Sequence, residues 1–232
     1  MVEVIKAVIF DMDNTLIDFG KMKSAAVDAA LDAMIRAGLN IPKEQASKTL
    51  YEIYFEHGIE YQQIFQKFLK KVVGKIDYKI MAAGILAYRR VKDRNMDTYH
   101  MTRPTLELLK QRYKLCVITD APTLQAWLRL MELGIENYFD FVITPLESKA
   151  KKPTGLPFKL ALKKLGLKPE ECVMVGDWPS RDLEPARKLG IKTIWAKYGI
   201  RTQFSNAKIE NANADGEIDS LEELAVAIEK IN

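Results

Sequence analysis

Five short apolar runs recur along the chain: VIKAVIF (4–10), KLCVIT (114–119), FDFVIT (139–144), CVMVG (172–176) and KTIWA (192–196). Each is rich in β-branched residues and nearly continuous in hydrophobicity. A strand with one wet face alternates apolar and polar residues, whereas a strand covered on both faces does not, so these runs read as a parallel sheet buried between helices. Helical patterns separate them from residue 104 onward. Pro104 opens one through Leu106 and Leu109, a second runs from Pro122 to Leu133 before Gly134, and a third follows Pro157 through Leu160, Ala161 and Leu165 to Gly166. Ser180 is placed to cap a fourth that ends near Gly190, and Ser220 with Glu223 makes a capping-box pattern ahead of a C-terminal helix. Strand and helix alternate, which predicts an α/β, doubly wound, parallel-sheet (Rossmann-like) core.

The first connection breaks this rhythm. Between the first run and the second lie roughly eighty residues of helical spacing with no convincing strand, far longer than an ordinary strand-to-helix connection. Val27, Leu31, Met34 and Ile35 share a face before Gly38; Leu50, Ile53 and Tyr54 share another before Gly58. Tyr61, Ile64, Phe65, Phe68, Leu69 and Val72 form the strongest stripe, and Asp77 can cap a last helix carrying Ile80, Gly84, Ala87, Tyr88 and Val91. The expectation is an inserted α-helical bundle over residues 17–97, with a core of residues 1–16 and 98–232 and with Tyr61, Phe65 and Phe68 inside the bundle.

Net charge is only +4, spread along the chain without a basic block, which argues against a nucleic-acid arm. No apolar run has the length of a membrane span, and the first residues lack the layout of a signal peptide, so the expectation is a cytoplasmic protein. Cys116 and Cys172 sit inside apolar runs, as small core residues do. The two histidines, His57 and His100, lie away from the strand ends. Neither a GxxxxGK[ST] loop nor a GxGxxG turn is present.

In an open parallel sheet, ligands bind beyond the carboxyl ends of the strands. The first run ends in Asp11 and Asp13, the second in Thr119 and Asp120, the fourth in Asp177 with Asp182 five residues on. A lone Asp after a strand is commonly a helix cap or a turn residue. Several brought to one edge repel one another unless a cation sits among them, and a hard divalent ion, Mg²⁺, answers that need while leaving room for a phosphate. A carboxylate can act as nucleophile on phosphorus, given cations and hydroxyl donors around the transferring oxygens. Thr119 offers the hydroxyl, and KAKKP (149–153) offers the cations.

These residues resemble the haloacid dehalogenase superfamily, in the subclass with a helical cap inserted after the first motif. VIFDMDNTL is similar to its DxDx[TV] motif, CVITD to its second, KKPTGLPFKLAL to its third and VMVGDWPSRD to GDxxxxD, in order across nearly the whole chain. The resemblance implies a phosphatase with Asp11 as nucleophile and Asp13 as general acid and base. It implies that Thr119, Asp120 and Lys152 hold the phosphoryl group, and that Asp11, the Asp13 main-chain carbonyl, Asp177 and Asp182 hold Mg²⁺. Lys152 is preferred to Lys149 or Lys151 because Pro153 follows it and Phe158 lies six residues on. Gly155 and Trp178 depart from the family pattern.

An acid at Asp13 favours an alkoxide leaving group, because a departing halide needs no proton. The implied substrate is a small phosphorylated metabolite. A sugar-phosphate phosphomutase shares the Asp11 and Asp13 pair and stays open, as does a phosphorylation-switch module of another class. A phosphonate-cleaving enzyme would need a lysine such as Lys21 or Lys23. Residues 17–20 and 95–102, Gly20 among them, are the expected hinges. Oligomeric state is not legible.

Overall fold

The computed structural model describes residues 4–199 and 212–232. They fall into two compact units, one of residues 4–18, 97–199 and 212–232 and the other of residues 19–96.

The first unit is built on β1 (Ala7–Phe10), whose four residues are all buried. Such a strand can lie only in the middle of a sheet. After the helical segment come α5 (Thr102–Lys110), β2 (Lys114–Ile118), α6 (Thr123–Glu132), β3 (Phe141–Ile143), the single turn α7 (Pro145–Ser148) and α8 (Leu156–Leu165). Then follow β4 (Cys172–Gly176), the single turn α9 (Glu184–Arg187), β5 (Lys192–Ala196), β6 (Gly216–Ile218) and α10 (Leu224–Ile231). The sheet has the order β3-β2-β1-β4-β5-β6 with every pairing parallel. Ala7 faces Lys114 on one side and Cys172 on the other, and Phe10 faces Val117 and Val175. In that register β1, β2 and β4 stop at one edge, so Asp11, Thr119 and Asp177 all emerge there.

Ile9, Cys116 and Met174 from the strands pack with Phe158, Ala161 and Leu165 of α8. Both cysteines are free, and burial raises their thiol pKa values, as fits small core residues.

Several sequence expectations change. β6 is a sixth strand, and a run as short as Gly216–Ile218 with a single buried apolar side chain carries no readable period. The helix expected from Ser180 to Gly190 is instead a π-helical turn, Pro179–Leu183, followed by the four residues of α9. Ser180 caps nothing, since the turn begins after Trp178. At the C-terminal helix the Ser220 side chain makes no cap bond, and Glu223 instead accepts from the Asp219 N–H at 2.9 Å.

The second unit consists of α1 (Phe19–Arg36), α2 (Lys43–His57), α3 (Ile64–Val73) and α4 (Tyr78–Asn95). Asp77 caps α4, accepting from the Lys79 and Ile80 N–H groups. Leu31, Met34, Leu50, Ile53, Phe65 and Phe68 belong to a core of its own, with Tyr61 partly buried against it. Gly20, expected at a hinge, lies in the first turn of α1. The chain leaves and re-enters the first unit side by side, with Ile17 bridging Thr98 and the Asp18 N–H donating to Asp97 O at 3.1 Å. Among the described residues, no helix is long and apolar enough to cross a membrane.

Candidate active site

Asp11 is held in place from three directions. Its own N–H continues the sheet ladder, donating to Val175 O at 2.9 Å. The chain then turns sharply through Asn14 in the left-handed region, φ 64°, with the Leu16 and Ile17 N–H groups donating back to Met12 O. That turn brings the buried Thr15 hydroxyl 3.3 Å from Asp11 Oδ2. The third hold is the Lys152 ammonium, which donates to Asp11 Oδ1.

Lys152 is buried, whereas Lys149 and Lys151 are exposed, so of the three lysines only Lys152 reaches the carboxylates. Its Nζ also lies 2.6 Å from Asp182 Oδ1. The turn after it, Lys152–Thr154, closes with the Gly155 N–H on Lys152 O at 2.9 Å and φ 77° at Gly155. Proline cannot take that dihedral, and this accounts for glycine where the family pattern often has proline.

Asp120 uses its carboxylate as a brace. Oδ1 accepts the Lys152 N–H at 2.9 Å, and Oδ2 accepts from Arg181 Nη2 at 2.5 Å. Two loops are thereby tied to the end of β2. The neighbouring Thr119 hydroxyl accepts the Ala121 N–H at 3.1 Å, which leaves its hydrogen to donate outward. Arg181 lies with its guanidinium carbon 5.4 Å from the centre of the half-buried Trp178 ring, so that indole packs against a cation.

Asp177 is fastened through its carbonyl, which accepts from Trp195 Nε1 at 3.1 Å. The π-helical turn returns Asp182 to the same place, its Oδ2 accepting the Trp178 N–H at 2.9 Å. Only glycine at position 176 allows this approach, because a Cβ there would stand 2.6 Å from Asp182 Cβ and Oδ2. Gly176→Ala is therefore expected to push Asp182 off Lys152 and cost about 1–3 kcal/mol, as overpacking does. A thermal melt at wild-type midpoint would contradict this.

Asp11, Asp177 and Asp182 are all buried and present carboxylate oxygens within 4.8 Å of one another. Among the described residues one buried ammonium faces three buried carboxylates, so negative charge is in excess. Burial, then the neighbouring Asp11 and Asp182, push Asp177 well above the usual carboxylate range. Burial likewise raises Asp182 to about 6, against the opposing pull of Lys152. Lys152 itself is pushed upward, since Asp11, Asp182 and Asp120 together outweigh the desolvation that disfavours its charge. An all-oxygen, over-negative triad of this kind fits a hard divalent cation.

Asp13 stands apart from the triad. Its Oδ2 accepts from Arg129 Nη1 at 2.8 Å, and the Arg129 side chain is almost fully buried. Thr15, Arg129 and Arg181 escape the sequence reading. Only Thr15 had a signal, the last position of DxDx[TV]. Elsewhere, His57 is exposed and stacks on Tyr61 at 4.6 Å, and His100 faces Glu222 at 3.1 Å. In the second unit Lys21 is exposed, while Lys23 is buried with its Nζ 4.6 Å from the Tyr54 ring centre.

Comparison with known proteins bears on the chain as a whole. Glyceraldehyde 3-phosphate phosphatase of Methanocaldococcus jannaschii is 37% identical over 98% of this chain and 99% of its own length. The protein of the same name from Pyrococcus furiosus is 33% identical over 98% and 95%. The crystal structure of a HAD phosphatase from Thermococcus onnurineus superposes with a TM-score of 0.69 at 28% identity, covering 96% of this chain and 97% of that one. The family model for a haloacid dehalogenase-like hydrolase matches residues 5–190, and the chain belongs to that family.

Proposed function

We propose that this chain hydrolyses a small phosphate monoester through an aspartyl-phosphate on Asp11, with Mg²⁺ held by the Asp11, Asp177 and Asp182 carboxylates and the Asp13 main-chain carbonyl. The observation that carries the reading is Asp11 itself: a buried carboxylate at a strand end, restrained at one oxygen by Lys152 and at the other by Thr15. Such restraint orients a nucleophile.

In the first step an Asp11 oxygen bonds to phosphorus and the ester P–O bond breaks. The electron pair goes to the departing oxygen, which takes a proton from Asp13 and leaves as an alcohol. Thr119 and Lys152 donate to the phosphoryl oxygens as charge moves across them. In the second step Asp13 takes a proton from water, the water oxygen bonds to phosphorus, and the bond to Asp11 breaks to return its carboxylate with inorganic phosphate. When bound, Mg²⁺ neutralises the phosphoryl oxygens and the carboxylates that hold it.

The substrate we propose is glyceraldehyde 3-phosphate or a similarly short phosphorylated carbonyl compound. Full-length similarity to two proteins of that name supports it. The test is phosphate release from a panel of small monoesters including this one, with Mg²⁺ or with chelator. Mg²⁺-dependent release is expected, and no release from any ester would overturn the reading.

The acidic triad adds a pH signature. In chelator, Asp177 and Asp182 keep protons in the folded chain that the unfolded chain has already lost. The folded state then binds more protons, and stability falls with rising pH. The decline is expected to start near the unfolded carboxylate value of about 4 and to run through about 6, where Asp182 titrates. Urea titrations with Mg²⁺ should show a smaller decline; identical curves with and without the metal would contradict its placement here.

A further inference from the structure

Helix α6 is turned the wrong way for its sequence. Leu124, Leu128 and Met131 face outward at 68%, 46% and 64% exposure, while the buried face carries Ala126, Arg129 and Leu130. Burying a guanidinium while leaving large apolar groups in water is costly on both counts. The side chain so buried makes a charge-assisted bond to Asp13 Oδ2 at 2.8 Å.

We infer that Arg129 is a positioning residue for proton transfer by Asp13. This rests on the phosphatase reading above and extends it. A carboxylate has two oxygens and a freely turning plane. With Oδ2 held by a guanidinium, that plane is set, and the proton exchanged with the leaving group travels through Oδ1. Arginine suits the task because it stays charged and its rigid fork holds direction. As the ester bond breaks, the alkoxide oxygen takes the Oδ1 proton and Asp13 becomes an anion already paired with Arg129. Arg129 thus stabilises the state that exists only after the proton has gone.

An aryl ester separates this role from a bracing one. The leaving p-nitrophenolate is stable without a proton, so its departure needs little from Asp13. The comparison is kcat/KM, which covers the steps through phosphoenzyme formation and excludes its later hydrolysis. For Arg129→Met, kcat/KM on glyceraldehyde 3-phosphate is expected to fall at least about tenfold further than on p-nitrophenyl phosphate. Arg129→Lys, which keeps the charge and loses the fork, should recover part of the difference.

Equal losses on the two esters, with or without a lowered melting temperature, would make Arg129 a brace and overturn the inference. So would no loss on either. If the wild type hydrolyses p-nitrophenyl phosphate and the alkyl ester alike while Arg129→Met shows no selectivity, the phosphatase reading survives and the Arg129 role falls. If the wild type releases phosphate from no ester of the panel, both fall together.

Discussion

Asp11→Asn should stop phosphate release, by on the order of 10⁴–10⁶-fold as when other enzymes lose a nucleophile, and should leave the protein at least as stable as the wild type. The two outcomes have one cause. Asparagine has the shape of aspartate and keeps an oxygen that can accept from Lys152 or Thr15, so the turn after β1 has no reason to move. What it lacks is the second carboxylate oxygen that, in the proposed mechanism, bonds to phosphorus. It also removes one of three crowded carboxylates, which relieves repulsion in the metal-free protein. The measurements are phosphate release from the best ester of the panel and a thermal melt in chelator. Full activity in the variant would end the nucleophile assignment. A collapsed fold would show that the Asp11 charge holds Lys152 in place rather than serving chemistry.

What was readable in the sequence, and what was not, follows from how far each interaction reaches along the chain. The near-continuous runs around Ile9, Val117 and Val175 announce a sheet covered on both faces, and a parallel sheet delivers its strand ends to one edge. Asp11, Thr119 and Asp177 could therefore be placed together without any coordinates. Choosing Lys152 over Lys149 and Lys151 rested on register with Pro153 and Phe158, and the structure buries that lysine and exposes the other two. The π-helical turn was hidden because Pro179 and Ser180 look like an ordinary helix start, while the need to return Asp182 to Gly176 is a tertiary demand.

Arg129 was hidden for a deeper reason. The spacing of Leu124, Trp127, Leu128 and Met131 marks out the apolar face of α6, and periodicity alone would put that face inside. The structure exposes all four and buries the arginine. A local pattern was overruled by a partner more than a hundred residues away, which one-dimensional reading does not reach. Asp120 shows the same limit in milder form, since its place at the end of β2 was legible and its bonds to Lys152 and Arg181 were not.

Lys152→Met is expected to damage the protein in two ways that Mg²⁺ separates. The lysine is the buried cation among Asp11, Asp177 and Asp182. Methionine fills most of the same space but leaves those carboxylates uncompensated, and breaking a buried ion pair from one side costs about 3–5 kcal/mol. Melting in chelator should drop accordingly. A divalent cation can supply the missing charge, and a site stripped of its ammonium attracts that cation more strongly. Added Mg²⁺ should therefore raise the melting temperature of Lys152→Met by more than it raises that of the wild type. Activity should not return with stability, because in the proposed mechanism the ammonium also orients Asp11 and donates to the phosphoryl oxygens; a loss of about 10²–10³-fold is expected to persist at saturating Mg²⁺. Equal Mg²⁺ shifts in the two proteins would show that Lys152 does not neutralise the acids proposed to hold the metal. Recovery of activity along with stability would leave it a structural counter-ion and nothing more.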